Sequence, residues 1–118
     1  MQYLLLIYGD EQDQMADEDM GGNMAAWNAY TDWLVEKGWM RGGDALQPTS
    51  EATSVTTRAG ERVVTDGPFA ETKEQLGGYY LLDVANVDDA LEAAEKCPAA
   101  GYGTIELRPL MEFDVPSS

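Results

Sequence analysis

Apolar and aromatic residues follow one another without alternation from Tyr3 to Tyr8, the pattern of a strand buried on both faces. Further on, Gly21, Gly22 and Asn23 read as a start signal. The spacing of Trp27, Tyr30 and Leu34 then predicts a helix from Met24 to Lys37, with Gly38 as its C-terminal cap. Trp39 to Leu46 supplies a second strand, where Gly42 and Gly43 mark a bulge or a close approach of two backbones. A turn at Gln47 to Ser50 holds Pro48. The Val- and Thr-rich segments Thr53 to Arg58 and Arg62 to Thr65 flank Ala59, Gly60 and Glu61, and predict a hairpin that projects from the main sheet. Gly78 to Val84, with Tyr79, Tyr80, Leu81 and Leu82 in succession, is again apolar on both faces. Asn86 is placed to cap a helix from Val87 to Lys96, with Asp88 and Asp89 in the first turn, where the helix dipole favours them, and Pro98 stops it. Thr104 to Leu110 alternates, Ile105 and Leu107 on one face and Glu106 and Arg108 on the other.

With the hairpin set aside, the order is strand, helix, strand, strand, helix, strand. That is the ferredoxin-like βαββαβ plan, an α+β fold with two helices on one face of an antiparallel sheet and an inserted β-hairpin. Two helices cover one face only, yet two strands are apolar on both. A second copy of the chain is the economical cover, so the expectation is a twofold homodimer with the sheet faces packed together in a barrel-like assembly.

The 118 residues fit one domain. The opening MQYLLLIYGD has no basic start and no small-residue cleavage site, so it reads as a strand rather than a signal peptide or membrane span. Cys97 is the only cysteine, which rules out an internal disulfide, and the expected location is cytoplasmic. Against 7 basic side chains stand 22 acidic ones, a net charge of −15, with the basic residues scattered. Such a surface repels phosphate backbones, which argues against nucleic-acid and anionic-membrane binding. Much of the acidic excess lies between Asp10 and Asp19, read as a solvated loop or as a surface for a basic protein partner.

Candidate chemistry concentrates after the hairpin. Asp66 and Gly67 form a turn pair that Pro68 directs onward, an arrangement with a purely structural explanation. The functional reading places the Asp66 carboxylate at a strand end beside Glu71, Lys73 and Glu74, where Gly77 and Gly78 admit a ligand; the same three charged residues also suit a solvated turn. Asp44, after the Gly42–Gly43 pair, is a second acid or base candidate near a cleft. Tyr79 and Tyr80 face opposite sides of the sheet, so one joins the core and the other reaches the dimer face, where a hydroxyl, like that of Tyr8, could orient a bound oxygen. Glu106 and Arg108 share a face and either pair within the protein or clamp an anion. Trp27, Trp33 and Trp39 read as packing residues, and Met15, Met20 and Met24 as loop and core fillers or the lining of an adaptable pocket. Cys97 lies at a helix C-terminus, where the dipole disfavours a thiolate, and reads as a packing residue. With no histidine and one cysteine, zinc, haem and iron–sulfur sites are excluded, and neither a phosphate-binding glycine loop nor a dinucleotide fingerprint is present; no cofactor is expected. A carboxylate-bound Mg²⁺ or Ca²⁺ has no loop motif behind it.

The run VTDGPFAETKEQLGGYYLLDV, from Val64 to Val84, is similar to the signature of the DGPF branch of the YCII-related proteins, named for Asp66, Gly67, Pro68 and Phe69. The YLLLIYGD start, the GGDALQP segment and the IELRP end extend the resemblance over nearly the whole chain. It implies dimers of ferredoxin-like units with a cleft near the interface. In the wider family it also implies a histidine on the first helix and an aspartate before the proline that follows the second. This chain has no histidine, and Cys97 precedes Pro98, so that dyad does not transfer. Relatives with this signature are often encoded beside extracytoplasmic-function sigma factors, which implies an accessory role next to such a factor. Three functions follow as expectations. The first is a small-molecule-binding dimer or weak lyase- or isomerase-type enzyme, with Asp66 and Asp44 as acid or base and Tyr8, Glu71, Lys73, Tyr79 and Arg108 as ligand contacts. The second is a regulatory partner of a sigma factor, and the third a purely structural dimer.

Overall fold

The computed structural model of the chain describes residues 1–10, 20–70 and 72–112, with residues 20–23 described by their backbone alone. Glu71, Met15, the Met20 side chain and most of the acidic Asp10–Asp19 segment therefore lie outside the described residues. The elements are β1 (Gln2–Gly9), α1 (Met20–Glu36), β2 (Met40–Ala45), β3 (Thr53–Arg58), β4 (Glu61–Asp66), β5 (Gln75–Asp83), α2 (Val87–Lys96) and β6 (Thr104–Pro109). Strands β2-β5-β1-β6 form an antiparallel four-stranded sheet in that order, and β3 and β4 form a separate two-stranded one. This α+β arrangement, with β1 and β5 central, is compatible with the ferredoxin-like plan.

One face of the sheet holds the core. Tyr3, Leu5 and Ile7 of β1 cluster with Leu82 and Val84, with Tyr30 and Leu34 of α1, and with Ala90 and Ala93 of α2. Leu5, Leu34 and Leu82 are fully buried, each contributing about 1.5–3 kcal/mol by leaving water. The small Ala90 and Ala93 let α2 approach closely, and its start is fixed as expected by Asn86, whose side chain accepts from the Asp89 N–H at 2.9 Å. Tyr30 ties the two helices together, its hydroxyl donating to the Ala93 carbonyl at 2.6 Å. That carbonyl lies in the last turn of α2, where intrahelical donors run out.

Helix α1 begins at Met20, earlier than the glycine pair suggested, so Gly21 and Gly22 lie inside its first turns. Burial of Tyr30 and Leu34 holds the helix, and tertiary packing outweighs the weak helix propensity of two terminal glycines. Its end is as expected: Gly38 sits at φ +74°, with Gly38 N–H bonded to Val35 O and Trp39 N–H to Leu34 O, the paired bonds of a Schellman stop.

The opposite face carries Leu4, Leu6 and Tyr8 of β1, with Leu4 registered beside Leu81 and Arg108, and Leu6 beside Tyr79 and Glu106. The shortest principal extent, 20 Å, is that of one sheet and one layer of helices; the core under α1 and α2 lies on the first face, and on this second one Leu4 and Tyr8 are half-buried while Leu6 is buried. The hairpin turns through Ala59 at φ +52° and Gly60 at φ +80°, both positive as a two-residue type I′ turn needs. Its root is closed by Gly67 N–H on Ala52 O at 2.6 Å and Ser54 Oγ on Gly67 O at 2.7 Å, with Gly67 at φ +102°. Among the described residues no helix is long and apolar enough to cross a membrane.

Candidate functional site

A cleft of about 510 Å³ opens between α1 and the β2–β5 side of the sheet, on the same face as the core. Its floor comes from strand positions that point towards the helices: Ile7, Gly43, Gly78 and Tyr80. Trp27, Asn28 and Thr31, on one side of α1 at spacings of one, three and four, form a wall, and Met24, Met40 and Tyr102 border it.

The glycines in β2 have distinct jobs. The register shifts between Met40 and Gly42, so Arg41 is the extra residue of a bulge. Gly43 is a close approach: a Cβ there would lie 2.8 Å from both the Tyr79 carbonyl oxygen and Tyr80 Cδ1. Both explanations of the pair therefore apply, one beside the other. Gly78 similarly brings its backbone near β2, since a Cβ would stand 3.1 Å from Asp44 O. The missing Cβ of Gly43 leaves the room that the Tyr80 ring fills.

Tyr80 is held from three directions. Its ring meets Tyr30 edge-on at 5.6 Å and runs nearly parallel to Trp27, 17° apart with centroids at 6.5 Å. Its hydroxyl shares a 2.8 Å hydrogen bond with Thr31 Oγ1. Burial raises its pKa above the usual 10.0, the Thr31 bond opposing, so the phenol keeps its proton at neutral pH.

On the other face, Tyr79 donates to Asp44 Oδ2 at 2.7 Å, and Tyr8 to Glu106 Oε1 at 3.2 Å. The Asp44 bond and charge raise the Tyr79 pKa; burial and then Glu106 raise that of Tyr8, with Arg108 pulling it down. Glu74 takes the Thr104 hydroxyl on both oxygens, at 2.8 and 3.1 Å, which pins the segment before β5 to β6. Phenols that hold their protons and donate hydrogen bonds to carboxylates orient and bind; they do not serve as bases at neutral pH.

The family model of the YCII-related domain matches residues 1–114. The chain belongs to the YCII-related family. An uncharacterized protein of Rhizobium meliloti (strain 1021) is 41% identical over 114 residues, which cover 93% of this chain and 92% of the relative. In this YCII-related chain, Cys97 stands before Pro98 and is buried against the core. Burial pushes its thiol up to about 11, with bonds from Ala99 and Tyr30 opposing, so it packs in the core with its proton held at neutral pH. Among the described residues no three of His, Cys, Asp and Glu come together to hold a metal ion.

The residues singled out by sequence divide into groups. Asp44 and Tyr79 meet directly through side chains on the open sheet face, while their strand positions also border the cleft. Tyr8, Glu106 and Arg108 form a second group on the open sheet face. Asp66 ends β4 opposite Thr53, exposed, and neither it nor Lys73 is among the cleft-lining residues. Glu71 lies outside the described residues. Tyr80, and not Tyr79, points towards the helices. Trp27 packs against the core as expected, but it also walls the cleft, with Asn28 and Thr31, which sequence reasoning passed over. The available signal was the polar pair Asn28 and Thr31 interleaved with the Trp27 and Tyr30 stripe.

Proposed function

We propose that this YCII-related protein binds a small molecule in the cleft between α1 and the β2–β5 side of the sheet, and does so as a twofold dimer through the opposite face. The observation that carries the binding reading is the cleft itself: about 510 Å³, largely apolar and aromatic, with the Asn28 amide and the Thr31–Tyr80 hydroxyl pair converging on it. That is the size and chemistry of a ligand site. The dimer reading rests on Leu4, Leu6 and Leu81, adjacent on the sheet face away from the helices and rimmed by Asp44–Tyr79 and Tyr8–Glu106.

A thermal-shift screen against a metabolite library tests the binding reading, because a ligand at one hundred times its Kd adds about 2.7 kcal/mol of stability. Hits lost in Trp27→Leu support it. Hits that survive both Trp27→Leu and Thr31→Val place binding elsewhere and sink it. A silent library shifts the preference to a protein partner such as a sigma factor.

A lyase- or isomerase-type activity is a second reading, favoured by the Asp44 carboxylate that carries the Tyr79 hydroxyl on Oδ2 at the edge strand bordering the cleft. Asp44 then acts as the acid or base, and Tyr79 holds its carboxylate in place. Asp66, away from the lining, contributes through the turn at Gly67. Turnover of a cleft ligand that is unchanged in Asp44→Asn removes this reading and leaves binding intact.

A further inference from the structure

The geometry points to a planar, non-anionic ring compound bearing an amide-like donor and acceptor as the ligand of the cleft, with carboxylates and phosphates excluded. This deepens the binding reading above and rests on it.

Charge sets the exclusion. Among the described residues that line the cleft there is no lysine or arginine, and the carboxylate of Asp44 is turned to Tyr79 on the other sheet face. An anion entering this largely apolar space gives up hydration and finds no counter-ion. The chain as a whole, at −15, adds to the repulsion. Arg108, the cation best placed to clamp an anion by sequence reasoning, faces the other side of the sheet, beside Leu4.

Shape sets the ring. Trp27 and Tyr80 both line the cleft with ring planes 17° from parallel, a pair of aromatic groups alongside which a flat molecule can stack. Met24 and Met40, unbranched and polarizable, adapt the border to the ring outline.

Hydrogen bonding sets the functional group. The exposed Asn28 side chain bonds to no other described residue, and its amide offers both a donor and an acceptor. The two hydroxyls of Tyr80 and Thr31 share one hydrogen between them and leave the second to donate, together with free lone pairs. A primary amide or a lactam-like ring edge answers both.

Calorimetric titration of the full chain with matched amide and acid pairs tests this: benzamide and benzoate, nicotinamide and nicotinate, indole-3-acetamide and indole-3-acetate. The expected result is at least one pair in which the amide binds about tenfold or more tightly than its acid. Thr31→Val weakens the amide severalfold, and Trp27→Leu weakens amide and acid alike. An acid that binds as tightly as its amide, with affinity lost in Trp27→Leu, overturns the ligand class while the cleft stands as the site. No binding by any pair, or binding indifferent to both Trp27→Leu and Thr31→Val, overturns the ligand class and the site together.

Discussion

Gly42 and Gly43 are adjacent, identical in chemistry and in the same strand, so replacing each by alanine isolates what a single methyl meets. At Gly43 the new Cβ would stand 2.8 Å from the Tyr79 carbonyl oxygen and 2.8 Å from Tyr80 Cδ1. The first neighbour is backbone and cannot rotate away; the second is a ring held by Trp27, Tyr30 and Thr31. Overpacking of this kind costs about 1–3 kcal/mol. The reduced freedom of the unfolded chain returns about 0.4–1 kcal/mol, so the net expectation for Gly43→Ala is a loss of about 1–2 kcal/mol. At Gly42 the methyl meets nothing within 4 Å, which leaves the unfolded-state gain alone. For a domain of this size, roughly 4 °C of Tm accompanies each kcal/mol. Differential scanning calorimetry should therefore show Gly43→Ala melting several degrees below wild type and Gly42→Ala at or slightly above it. A cleft ligand should also bind Gly43→Ala more weakly, because Tyr80 must move. Equal shifts for the two variants, or a Gly43→Ala protein as stable as wild type, would refute the close packing of β2 on Tyr80.

Tyr30→Phe leaves the Ala93 carbonyl without its 2.6 Å donor in the core and should cost about 1–3 kcal/mol in urea unfolding, whereas Tyr80→Phe, at a partly exposed bond, should cost less. The folded Cys97 thiol titrates near 11 against an ordinary 9.0, so its contribution to stability is complete below pH 9 and is lost as pH rises towards 11. Burial raises the Tyr30 hydroxyl in the same direction, and denaturation midpoints followed through that window should fall less steeply in Cys97→Ala than in wild type; equal slopes contradict this. If the proposed dimer forms, wild type sediments at twice the chain mass and Leu4→Asp, which puts a charge at a half-buried position on the sheet face away from the helices, should give a folded monomer; a monomeric wild type contradicts the dimer reading.

Local chemistry determined the elements of this protein. Unbroken apolar runs at Tyr3–Tyr8 and Tyr79–Leu82 specify central strands, because a residue sequence with no polar alternation has no face to give to water. Asn86 and Gly38 mark helix ends by hydrogen bonds that reach only three to five residues, and the hairpin turn at Ala59–Gly60 is equally local. The period of two also required Tyr79 and Tyr80 to diverge, without deciding which went where. Their assignment followed from register: Tyr80 pairs with Leu5 and so faces the helices, while Tyr79 pairs with Leu6 and faces away. The cleft depended on tertiary structure in the same way. Its wall comes from α1 and its floor from three strands, and Trp27, Thr31 and Tyr80 meet only because the sheet order sets β2 and β5 under that helix. No spacing along the chain encodes a contact made across 49 residues, such as Thr31 with Tyr80. The DGPF turn shows the converse: Gly67 at positive φ is legible as a local necessity, and the cleft is lined by other residues.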